Sequence, residues 1–309
     1  MSNAYTGTSA LAGLVQTAYD RYVEFALRSQ PLFRNLADKR PVQQAMPGSS
    51  VVFSLYQDLA AATSTLAETT DPDAVAISNV NTVSVTLNEY GNTVLNTRKL
   101  GEFAFSDVDP AIANIVAFNM ADSIDRIVVT TLTGGTNVLY GGSAAATSEL
   151  TSADTLTSAM VRKAVAKLRA ANAVPREGML YAAYTHPETA HDLRAESGTN
   201  AFEDIRKYTD PNVGNILNAV TGVLGGAYFV ETPRARVGNN GASSAKVYRT
   251  IICGQQALAE ATAVEPGVVI GPVVDKLMRF RPIGWYSLQG WALYRQAALY
   301  RLETGSSIA

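Results

Sequence analysis

The sequence predicts an α+β fold organised around one long helix, and three stretches carry that prediction. Residues Asp107 to Gly135 read as a helix with a start, a face and a stop. Residues 51–98 read as two strands joined by a long polar connection. Residues 176–262 alternate helix and strand patterns, which argues for an α/β unit.

Composition sets the bounds. The 309 residues suffice for one large domain or two modest ones with a substantial core. Hydrophobic residues make up 47% and charged ones 17%, the balance of a chain that hides surface in an assembly. A net charge of −2 gives no global sign of a nucleic-acid or membrane-surface binder. No run of apolar residues is long enough to span a membrane, and MSNAYTGTSALAG lacks a signal-peptide pattern, so synthesis inside the cell is expected. The lone Cys253 excludes an internal disulfide and any cysteine-based metal site; its context, TIICGQQA, reads as a buried strand end with an inert thiol.

In chain order, residues 1–40 form an arm. Leu11, Leu14, Val15, Ala18, Tyr22, Phe25 and Ala26 make a helical stripe that Pro31 breaks. Phe33 and Leu36 follow with the basic Arg34, Lys39 and Arg40, a segment that needs a surface to lie on. Val51–Tyr56 is a strand, and Val83, Val85 and Leu87 alternate with polar residues in a second. The connection between them is rich in Ala, Thr, Asp and Pro; so long a loop in a domain is functional or mobile. An isolated two-stranded hairpin is marginal in water, so this one is expected to lie on another subunit. The chain returns through Tyr90–Leu100 and Phe103–Phe105.

The long helix starts at Asp107 or Asp109, with Pro110 in its first turn. Ile112, Ile115, Val116, Met120, Ile124, Ile127, Val128 and Leu132 share one face; Asn114, Asn119, Asp122, Asp125 and Arg126 take the other. Gly134-Gly135 stops it. Thr151–Asp154 reads as a capping box for a second helix to about Ala171, with Arg162, Lys163, Lys167 and Arg169 on its outer face. Met179–Thr185 is a buried strand, and His186-Pro-Glu188 opens a short helix. Residues 195–215 are loop-like, Ile216–Val223 is helical, Ala227–Glu231 and Val247–Cys253 are strands, and Gln255–Glu260 is a helical turn. The tail carries an apolar strand at Val268–Val274, then an aromatic, strand-rich stretch from Phe280 to Tyr300. Its Trp285 and Trp291 are expected to anchor against the long helix.

Catalysis finds no support. His186 and His191 lie five residues apart, off a common helical face, so capping or surface roles suit them better than metal binding. No G-x-S-x-G occurs, and Gly222, Gly225 and Gly226 precede a strand where a phosphate-binding loop would follow one. The basic faces at 162–169 and 276–281 lack aromatic interleaving and read as solvated. No catalytic, cofactor-binding or metal-ligating residue is assigned, and no cofactor is implied.

The order of elements, together with PVVDKLMRFRPIGWYSLQGWALYRQ, resembles that of tailed-bacteriophage major capsid proteins of the HK97-like fold. The resemblance implies an N-terminal arm at 1–48, an extended β-hairpin E-loop with flanking strands at 49–106, a spine helix and peripheral domain at 107–175, an inserted α/β axial domain at 176–265, and return strands of the peripheral domain at 266–309. It implies a non-enzymatic protein that self-assembles through hexamers and pentamers into an icosahedral head enclosing double-stranded DNA, without sequence-specific binding and without a membrane. A portal and a decoration protein are expected partners. Because the arm begins at Met1, a separate scaffolding protein is also expected. Relatives that crosslink use an E-loop lysine, and residues 51–97 contain none, so the shell is expected to be held non-covalently by E-loop and N-arm contacts.

One charge pattern follows. Residues 51–97 hold five acids and no base, net −5, including Asp58, Glu68, Asp71 and Asp73. Residues 275–303 hold five bases and two acids, net +3, including Lys276, Arg279 and Arg281. These seven residues are the expected inter-subunit contacts, complementary charges that set register between subunits. Two alternatives stand beside this reading: an encapsulin-type compartment shell and an α/β enzyme working at the loops of residues 185–245.

Overall fold

The structure, a computed structural model, describes residues 30–41, 50–56, 59–66, 68, 69, 71, 73–75, 80–103, 108–197, 220–273 and 275–308. The helical stripe expected at 11–26 lies outside these. A tight 3-10 turn at Phe33–Leu36 leads into β1 (Ala37–Pro41). β2 (Ser50–Tyr56) and β3 (Val80–Thr86) pair antiparallel from Ser50↔Thr86 to Tyr56↔Val80, the ribbon that the alternation predicts. Phe53 and Val85 turn to its buried face, Val52 and Ser84 to the exposed one. β4 (Asn88–Thr97) and a short helix, α1 (Arg98–Phe103), complete the return.

α2 (Val108–Leu132) is the long helix. Of the two expected caps, Asp107 falls outside the described residues, and Asp109 lies inside the helix, one residue past its first, so it does not cap it. Val116, Ile124, Val128 and Leu132 are buried as the apolar stripe requires. Two positions depart from it: Ile115 is exposed, and Asp125, assigned to the polar face, is 1% exposed. The helix is covered on a second side by the Phe33 turn, so its outer stripe is narrower than a lone amphipathic helix would have. Gly134 and Gly135 follow the helix without adopting a left-handed backbone. A Cβ on Gly135 would stand 2.8 Å from Leu299 Cδ2, so packing, not a left-handed backbone, disfavours a side chain there, and one could enter only by displacing that methyl.

After β5 (Val138–Tyr140) comes α3 (Ser158–Ala170), which starts later than the capping box suggests. Asp154 Oδ2 accepts from Thr151 N–H and Oγ1 at 2.8 and 2.9 Å, closing an isolated turn. Leu156 is buried, and the extended Thr157 becomes the cap, its side chain accepting from Met160 N–H. β6 (Tyr181–Thr185) is wholly buried, and α4 (Pro187–Ala195) follows with His186 Nδ1 accepting from Glu188 N–H as its cap, the role expected of that histidine.

Residues 220–223, read as helical, instead belong to β7 (Val220–Leu224), and 216–219 lie outside the described residues. Gly225 and Gly226, at φ +59 and +94, form the two-residue turn that pairs Leu224 with Ala227 of β8 (Ala227–Glu231). β9 (Val237–Gly238) and β10 (Val247–Cys253) follow. The helical turn expected at Gln255–Glu260 is also corrected. Gln256 is left-handed at φ 59, and β11 (Leu258–Ile270) begins two residues later. Ladders on both sides of β11 outweigh the helix preference of its alanines and glutamate. β12 (Phe280–Leu293) and β13 (Leu299–Thr304) end the chain's regular structure.

Two larger sheets result. One has the order β1-β11-β12-β4, with β1 parallel to β11. The other runs β5-β13-β10-β6-β8-β7, with β9 on β10, and draws strands from before residue 176 and after residue 265. α2 packs on the first sheet, where Trp285 Nε1 donates to Asn119 Oδ1 at 3.0 Å, the aromatic anchor expected of the tail. The main core joins Phe33, Val128, Leu132, Leu168, Phe229 and Ile252. A smaller cluster, including Phe53, Val85, Ala261 and Tyr294, sits under the ribbon. Cys253 is fully buried, and burial pushes its thiol up to about 12, so it stays protonated and inert at neutral pH.

Candidate functional site

The surfaces that face outward with no cover from their own chain are the candidate site. Every described residue from 59 to 75 is exposed, including Leu66 at 77% and Val75 at 74%. This connection hangs from the β2–β3 ribbon, whose root is fixed on β12. Phe53 meets Tyr294 edge-on at 6.0 Å, and a Cβ on Gly290 would stand 2.1 Å from the Thr86 carbonyl oxygen. The loop is therefore held at its base, and its described residues beyond it are exposed.

A second outward surface is the turn between β11 and β12. Leu277 and Met278 are 70% and 71% exposed, flanked by exposed Lys276 and Arg279. Arg279 Nε donates to Asp275 Oδ2 at 2.5 Å and holds that carboxyl below the usual range; the guanidinium also lies over the Phe280 ring. Arg281 is exposed on β12 opposite Asn96.

Of the acidic residues singled out in the sequence, Glu68, Asp71 and Asp73 are exposed, and Asp58 lies outside the described residues. The structure does not bring Glu68, Asp71 or Asp73 to Lys276 or Arg279 within one chain; among the described residues none of the three makes an ion pair. Gly290, where the ribbon is rooted, and Phe280, where the basic turn begins, stand ten residues apart on β12, roughly 33 Å.

Sequence reasoning missed a third feature, the fastening of residues 33–41. Phe33 N–H donates to Asp125 Oδ1 at 2.7 Å, and Arg234 Nε donates to Asp125 Oδ2 at 3.0 Å. Arg234 also pairs with Asp122. Arg34 pairs with the fully buried Glu260 at 2.6 Å, and Trp291 Nε1 donates to the same carboxylate. Arg176 donates to the Asn35 carbonyl at 2.6 Å, and Asp38 Oδ2 accepts from Gln256 N–H. The partners lie up to 226 residues apart, so no local pattern could have paired them. This segment ties α2, both sheets and the loop after β8 into one body.

Among the described residues, no group of three His, Cys, Asp or Glu side chains could hold a metal ion. His186 serves as a helix cap with its imidazole pushed to lower pKa by burial. His191 is exposed and stands beside Asp192. An open cleft of about 560 Å³ between α2 and residues 233–237 is lined by Asp125, Thr130, Arg234 and Arg236 and contains no nucleophile beside a base.

A family model described as "Phage capsid protein" matches residues 10–298. Solved structures similar to this chain include the capsid of Ralstonia phage GP4, at 15% identity, 99% coverage of this chain, 98% of that one and a TM-score of 0.76. The capsid of cyanophage Pam1 aligns at 14% identity, 99% and 100% coverage and a TM-score of 0.73. That of Helicobacter pylori bacteriophage KHP30 aligns at 14% identity, 98% and 99% coverage and a TM-score of 0.73. No curated protein sequence matches the chain.

Proposed function

The chain belongs to the phage capsid protein family and has the HK97-like fold of tailed-phage major capsid proteins, with its place in the virion, and from that premise we propose how it works. It self-assembles through hexamers and pentamers into an icosahedral head around double-stranded DNA, as a structural and not a catalytic protein. The arm is residues 1–48, the E-loop and its strands 49–106, the spine and peripheral region 107–175 with 266–309, and the axial region 176–265. A scaffolding protein and a portal are its further partners.

The observation that carries this reading is the loop of residues 59–75. It is rooted firmly at Gly290, yet Leu59, Leu66 and Val75 are left in solvent. A two-stranded ribbon this uncovered is marginal alone, and laying it on a neighbouring copy removes both the apolar exposure and the loop's freedom. Contacts of this head-to-tail kind close into rings. With no lysine between 51 and 97, the joint relies on packing and charge. The direct test is expression of the full chain, alone and with its scaffold, with particle mass measured by light scattering and the same sample imaged. Closed shells, rings or tubes are expected; a persistent monomer with the scaffold present sinks the reading.

The charge pattern gives a sharper expectation. Glu68, Asp71 and Asp73 of one copy are proposed to meet Lys276, Arg279 and Arg281 of the next. Asp71→Lys with Asp73→Lys is expected to leave the subunit's unfolding free energy within about 0.5 kcal/mol of wild type, since both positions are exposed. Shell yield should fall severalfold, and Lys276→Glu with Arg279→Glu should restore part of it. Normal yield from the first pair rejects the contact.

A further inference from the structure

α3 carries a feature that the proposed loop contact does not use. Its buried side is Met160, Val161, Ala164, Val165 and Leu168; its outer side has no Asp or Glu at all. At about 100° per residue, Arg162 and Arg169 fall on one flank of that outer side and Lys163 and Lys167 on the other. Between the two rows run Ala159, Ala166 and Ala170, all exposed. The result is a low ridge of methyl groups bordered by cations over roughly 10 Å of helix.

The surrounding fold makes room for the cations. A Cβ on Gly225 would stand 2.9 Å from Arg162, and one on Gly226 would stand 2.6 Å from Arg169, so the glycine turn after β7 accommodates both side chains. Lys167 Nζ lies 5.9 Å above the Tyr300 ring. Lys163, Lys167 and Arg169 make no ion pair with any described residue. In a chain of net charge −2, this concentration of one sign is a local property and not a by-product of composition.

We infer that the outer face of α3 is a contact surface for the phosphate backbone of double-stranded DNA, and so the side of the subunit that faces the packaged genome. This rests on the reading of the chain as a genome-enclosing shell protein. Charge complementarity selects the ligand: four cations around a ridge with no side chain beyond Cβ let a polyanion approach closely. The outer face offers donors from four long, flexible side chains and no side-chain acceptor, so the contact is assigned to phosphates and is independent of sequence.

The test uses the full-length chain at a concentration where light scattering shows unassembled subunits, with a labelled duplex of about 30 base pairs followed by fluorescence anisotropy across NaCl concentrations. Four phosphate contacts predict weak binding whose log–log salt slope is about −3 to −4. Replacing all four cations (Arg162→Gln, Lys163→Gln, Lys167→Gln, Arg169→Gln) should flatten the slope toward zero and weaken binding at least tenfold at low salt. Ala166→Glu, a single change at an exposed helical site, should weaken it severalfold by setting a negative charge within three or four residues of Arg162, Lys163 and Arg169. Absence of binding by wild type, or an unchanged slope in the quadruple variant, overturns the inference. Particle mass measured on the same variants keeps the two readings apart. Shells that form normally from chains that never bind DNA reject this surface alone, whereas failure of wild type to form shells with its scaffold rejects the capsid reading itself.

Discussion

Exchanging Asp125 for alanine is expected to cost about 3–5 kcal/mol of unfolding free energy, seen as a lower urea midpoint at unchanged slope. The size follows from what the carboxylate holds. Its two oxygens take the Phe33 amide at 2.7 Å and Arg234 Nε at 3.0 Å, and the group is almost entirely out of water. Removing it leaves a largely buried guanidinium to rely on Asp122 for a carboxylate, and a buried N–H with no acceptor. Asp125→Asn would serve little better, because the new amide N–H₂ would point a donor at Arg234 or at the Phe33 N–H. The loss should also have an address: hydrogen exchange at the Phe33 and Leu36 amides should speed up before the rest of the core. A cost below about 1 kcal/mol would show that Asp122 suffices and that residues 33–41 are not pinned through α2.

The second large effect concerns assembly more than stability. Gly290→Ala places a Cβ where the Thr86 carbonyl oxygen stands, 2.1 Å away, and within 2.8 Å of Val85 Cγ1. Backbone cannot yield as a flexible side chain does, so β3 must lift off β12 and the whole ribbon must change its angle. The expected stability cost is about 1–3 kcal/mol, because the main core lies elsewhere. Shell formation should be lost or aberrant, since the loop of residues 59–75 is proposed to reach a neighbour from this root. Gly267→Ala is the control: it lies on β11 of the same sheet, nothing stands within 4 Å of its Cβ, and it should be neutral in both assays. Ordinary shells from Gly290→Ala would mean that the root does not set the loop's direction.

The sequence by itself determined whatever is written in local periodicity. The β2–β3 ribbon follows from strict alternation, α2 from its three- and four-residue steps, and β6 from an unbroken apolar run. His186 as a cap and Cys253 as a buried thiol were equally legible, because one neighbouring residue or one flanking strand is enough to set each. The tertiary structure decided where local signals were ambiguous or overruled. Val220–Val223 became strand because Gly225 and Gly226 fold it back onto β8. Leu258–Glu260 became strand because β1 and β12 supply ladders on both sides. The capping box at Thr151 closed on itself, and with Leu156 buried the extended Thr157 took over as the cap. Asp125 and Glu260 were beyond any local reading. Each is buried with a charged partner more than a hundred residues away, and only the completed fold removes them from water and makes that partnership necessary.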